Sequence, residues 1–119
     1  MKKIISTAFL LIISVSANMF SAQSLSKKQM QAIQSDNVVT FKKNFAKGDY
    51  NKCFDLKDET FSALGFSSLY GRNKIITFLL DNKADINKAC NGKTPLALAE
   101  AGNKEETIQL LLQKGAVRN

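Results

Sequence analysis

The chain has 119 residues, 45% of them hydrophobic and 23% charged, with a formal surplus of seven positive charges and no histidine. That length holds a single domain, and this balance of apolar and charged residues excludes a disordered chain. Without histidine, and with only two cysteines, neither the usual general base nor a single-chain structural zinc site is expected.

The first element is MKKIISTAFLLIISVSANMFSAQS. Two lysines, an apolar run and small residues at its end form the three-part pattern of a secretory signal peptide. Ser6, Thr7, Ser14, Ser16 and Asn18 break the run, leaving no uninterrupted span of about 18 apolar residues. Cleavage is expected after Ala22, with Val15-Ser16-Ala17 as the alternative site. No stable membrane insertion is expected once residues 1–22 are gone. The mature chain is expected in the periplasm of a Gram-negative bacterium or secreted. Loss of Lys2 and Lys3 leaves 15 of the 17 basic residues against 10 acidic ones, so the surplus falls from +7 to +5. The lysines are scattered in runs of two at most, which reads as a solvated surface and not as a nucleic-acid face.

The next element, QAIQSDNVVTFKKNFAKGDYN, carries Ala32 on a short helix, then Phe41 and Phe45 on a second that Gly48 is expected to stop. Asp55, Asp58 and Glu59 follow in what reads as a solvated acidic loop. Ser62 then caps a helix over ALGFSSLY, and Ile75, Ile76, Leu79 and Leu80 form the apolar stripe of another. Asn91-Gly92 is a hairpin-turn signal between two extended arms. Thr94 caps the next helix with Pro95 at its first position, where a missing N–H costs nothing. The last helix carries Ile108, Leu111 and Leu112 and ends on Gly115, in the left-handed conformation glycine tolerates.

These elements repeat. Ile76, Leu79 and Leu80 align with Ile108, Leu111 and Leu112 at an offset of 32 residues, and Ser62-Ala63-Leu64 aligns with Thr94-Pro95-Leu96. Ala32, Phe41, Phe45 and Gly48 form a looser copy about 35 residues earlier. Lys83 stands where Gly115 stands in the third copy, a departure that costs about 1 kcal/mol if the backbone is shared. No single copy can bury its own apolar faces, so the copies must stack.

TPLALAEAGNKEETIQLLLQKGA and SALGFSSLYGRNKIITFLLDNKADIN resemble ankyrin repeats. The resemblance implies an all-α solenoid of three helix-turn-helix repeats with β-hairpin-like connecting loops. The expected boundaries are 23–58, a divergent N-terminal cap, then 59–90 and 91–119, the last being the C-terminal cap. Gly65 and Ala97 replace the family's histidine, and Glu100 stands where a buried alanine is usual. Glu100 fits only if it faces solvent as a polar cap. Gln29, Gln31 and Gln34 give the first inner helix the same polar character.

On this alignment Cys53 and Cys90 both follow an outer helix, on adjacent protruding loops. Either they bond, closing a loop worth roughly 3–4 kcal/mol, or they remain two separate thiols; the disulfide is the expectation. With no histidine and no phosphate-cradling glycine loop, an enzyme is not expected, a hydrolase included, and no cofactor is implied. The resemblance implies a protein partner, bound by a monomer through hairpin tips and inner helices. Position by position it selects Phe61, Lys93, Lys88, Leu69 and Tyr70. The roles that follow are scaffold or regulator of an envelope protein or, alternatively, an inhibitor or immunity protein blocking a toxin or hydrolase.

Overall fold

A computed structural model describes residues 23–118; the expected signal peptide lies outside them. Three helix pairs stand in sequence: α1 (Lys27–Gln34) with α2 (Val38–Asn44), α3 (Ala63–Leu69) with α4 (Asn73–Asp81), and α5 (Pro95–Ala101) with α6 (Glu105–Gln113). Each inner helix begins on a hydroxyl cap that accepts an otherwise unpaired amide. Gln29 N–H donates to Ser26 Oγ at 3.1 Å, Gly65 N–H to Ser62 Oγ at 2.8 Å and Ala97 N–H to Thr94 Oγ1 at 3.2 Å. Each pair then turns through one left-handed residue, namely Asp36, Gly71 and Asn103.

Outer helices α4 and α6 start on Arg72 and Lys104, neither of which supplies a side-chain cap. Their first turns are met from the repeat before. Asp36 Oδ1 accepts the Ile75 amide at 3.1 Å, and Thr107 Oγ1 donates to Asn73 Oδ1 at 2.5 Å. Beyond the outer helices the same relay recurs: Asn51 Oδ1 accepts the Asp85 amide at 2.7 Å, and Asn87 Oδ1 the Val117 amide at 3.0 Å. Stacking therefore satisfies polar groups as well as burying apolar ones.

The architecture is not purely helical. β2 (Cys53–Leu56) and β3 (Glu59–Ser62) form an antiparallel hairpin, and β1 (Gln23–Ser24) pairs in parallel with β2, giving the sheet order β1-β2-β3. The expected acidic loop is thus a hairpin. Asp55 and Glu59 lie on its strands, and Lys57 turns it with φ of 56°. At Asn91-Gly92 the turn forms with both φ values positive, but its arms reduce to the single bridge Cys90–Lys93.

Gly48 does not stop α2. The helix ends at Asn44 because Phe45 turns extended and stacks its ring on Phe41 at 4.4 Å, and Gly48 lies in a 3-10 turn over Lys47–Asp49. In that turn burial pushes the Asp49 carboxyl up, but donation from Lys52 and the Ala46 amide outweighs it and holds the group below its ordinary range. The other two stops are as expected: Lys83 has φ of 73° and Gly115 of 101°.

Phe41, Phe45, Tyr50, Phe54 and Phe78 form one aromatic cluster joining the first two repeats, with ring centroids 4.4 to 6.0 Å apart. The second and third repeats meet more tightly. A Cβ on Gly102 would lie 2.2 Å from the Leu69 carbonyl oxygen, and one on Gly65 would lie 2.9 Å from a Leu98 methyl. The small residues of the alanine-rich segment allow that approach. Glu100 is half-buried and pairs with Arg118 at the open end of the stack.

Candidate binding groove

The hairpin and the inner helices enclose a hollow of about 290 Å³ lined by Glu59, Phe61, Leu69, Lys93, Ala97, Leu98 and Ala101. Glu59 also lines a second hollow of about 450 Å³, formed with Met30, Leu56, Lys57 and Asp58. The walls of the first are fixed from several elements. β3 places Glu59 and Phe61, the C-terminal end of α3 presents Leu69, and α5 offers Ala97 and Ala101 on its exposed side. Lys93 Nζ reaches Glu59 Oε1 at 2.9 Å across the boundary between repeats. Both side chains are about half exposed, so water screens the pair and it marks the rim more than it stabilises the fold.

Directly behind this rim, Cys53 and Cys90 are bonded, with their Cα atoms 5.8 Å apart. Cys53 pairs in register with Ser62, the cap of α3. Cys90 bridges Lys93, whose neighbour Thr94 caps α5. One covalent link thereby ties together the starts of the two inner helices that floor the groove.

The expected contact residues do not form one face. Phe61, Leu69 and Lys93 meet in the first hollow. Phe61 is only 4% exposed, held edge-on against Phe66 at 5.4 Å, so it serves as the floor of the hollow. Tyr70 is 38% exposed and packs on Phe66, but it lines a different hollow of about 420 Å³ with Arg72, Asn73, Lys104 and Thr107, where the inner helices turn into the outer ones. Lys88 lines neither; it is half-buried, and its amide donates to the Asp85 carbonyl. Met30, Leu56, Ala97 and Ala101 went unselected. For Leu56 the alternation of Cys-Phe-Asp-Leu was the available signal, because a strand there puts Phe54 and Leu56 on one side.

A family model described as ankyrin repeats (3 copies) matches residues 29–119. The chain belongs to the ankyrin-repeat family. No curated protein matches it in sequence. Membership makes this ankyrin-repeat protein a protein-interaction module, in a family whose members are generally non-catalytic. Among the described residues, no helix is long and apolar enough to cross a membrane, and no group of three or more potential metal ligands comes together.

Proposed function

We propose that this ankyrin-repeat protein is an exported, non-catalytic binding module of the periplasm or the extracellular medium, acting as scaffold or regulator of an envelope protein. Its partner docks along the groove from Met30 and Leu56 past Phe61 to Leu69, Ala97 and Ala101. The observation that carries this reading is the pair of hollows that share Glu59. They offer apolar floor beside a rim of both charge signs, Lys57 and Lys93 against Asp58 and Glu59. Such a surface suits a protein segment with apolar anchors and polar flanks. Export is supported by the leader pattern of residues 1–22 and by a disulfide, which persists in oxidising compartments.

The test is affinity capture from envelope extracts with the parent protein, Leu69→Asp and Tyr70→Ala. Leu69 is half-buried at the groove and Tyr70 lies outside it. Capture lost with Leu69→Asp and kept with Tyr70→Ala supports the groove, provided that circular dichroism shows both variants folded. The opposite pattern would move the site to the helix-turn side.

A further inference from the structure

We propose that Gln23 is a modification site: once residues 1–22 are removed, its α-amine closes on its own side-chain amide to give an N-terminal pyroglutamate. This rests on cleavage after Ala22, as part of the export reading above. The step is an intramolecular acyl transfer. The amine nitrogen attacks Cδ, the C–N bond of the amide breaks, and one ammonia leaves while the amine gives up a proton; nothing is oxidised or reduced.

Two points of general chemistry and one structural observation make the site favourable. The nucleophile is available, because an α-amino group titrates at about 7.7–8.0 and is partly neutral near pH 7. It is also close, since amine and amide share one residue and a five-membered ring forms with the high effective concentration of an intramolecular reaction. Lastly, Gln23 is exposed on β1 at the margin of the sheet, in register with Phe54, and Leu25 N–H two residues later donates to the Asp55 carbonyl at 2.8 Å. The ring consumes only the terminal amine and the side-chain amide. The Leu25 amide and its bond to the Asp55 carbonyl are left as they are.

The structure also gives the modification a consequence. β1 supplies the only cover along that margin of β2 among the described residues, and it leads into Leu25, which is 7% exposed. An aminopeptidase needs a free α-amine and would remove β1 within two cuts. The lactam blocks the first of them, so a terminus that is part of the sheet is kept.

The experiment uses the full chain with its leader, expressed in a Gram-negative host, released from the envelope by osmotic shock and quenched in acid at once. Mass spectrometry of the N-terminal peptide is expected to find a chain starting at residue 23 and lighter than encoded by one ammonia. Its blocked Edman sequence should open after pyroglutamyl peptidase. Gln23→Ala keeps the strand backbone but cannot cyclise; it is expected to show a free amine and to lose residues 23 and 24 to aminopeptidase faster than the parent. A parent starting at an unreacted Gln23 overturns the cyclisation and leaves export standing. A terminus at Asn18 or at Met1 overturns the cleavage reading and this inference with it. Equal aminopeptidase resistance of Gln23→Ala and parent overturns the protective role.

Discussion

The first and third repeats stand at opposite ends of the same stack, and they hold to the middle repeat by different means. Phe41 and Tyr50 reach across to Phe78 from the first repeat, backed by Phe45 and Phe54, and a three-stranded sheet closes that side. The third repeat has no aromatic residue. It approaches until Gly102 touches the Leu69 carbonyl and Leu98 fills the space over Gly65. Large side chains make one joint by filling distance, and missing side chains make the other by removing it. The two joints should therefore fail in opposite ways, the first when atoms are taken out and the second when atoms are added.

The largest effect is expected from Phe41→Ala. Phe41 is fully buried and touches Phe45, Tyr50 and Phe78, so its loss should cost about 3–5 kcal/mol, read from urea unfolding. A value below about 1 kcal/mol would mean that the aromatic joint does not hold the first repeat. Next comes the disulfide. Cys53 and Cys90 close 37 residues of chain, and the double replacement Cys53→Ser with Cys90→Ser should cost roughly 3–4 kcal/mol in the chain-entropy model. Equal midpoints for the oxidised protein and the double variant would remove the bond from the account of stability.

Gly102→Ala tests the opposite joint. Its new methyl must push Leu69 or the whole of α5 aside, at a cost of about 1–3 kcal/mol. The same change at Gly48, where a Cβ meets nothing within 4 Å, should move the unfolding midpoint far less. Smallest, and of reversed sign, is Lys83→Gly. Lys83 ends α4 with φ of 73°, and glycine there should raise stability by about 1 kcal/mol. No gain in the thermal midpoint would show that other contacts of the Lys83 side chain offset the backbone cost.

These residues also separate what was legible from what was not. Ser62, Thr94 and Lys83 were readable because each acts on its own turn of chain: a cap serves an amide three residues on, and a left-handed stop follows the helix it ends. Gly48 misled because the same local rule was applied where a distant contact decides, since the Phe45 ring stacks on Phe41 and ends α2 earlier. The groove was partly legible. Phe61, Leu69 and Lys93 follow from repeat position, whereas Met30 and Leu56 become its neighbours only through the hairpin.

The sequence by itself determined the period, the inner-helix caps, the apolar stripes of the outer helices and the placing of Cys53 and Cys90 on adjacent loops, while the bond between them came with the structure. Each depends on spacing along the chain or on alignment of one repeat with the next. Tertiary structure alone decided that β1 joins the hairpin in parallel, that Phe61 is floor, that Tyr70 faces away from the groove and that Gly102 must lack a side chain. Those outcomes turn on which surfaces meet across 30 or more residues. Only packing sets that distance, because a side chain is exposed or buried by its neighbours and not by its own identity.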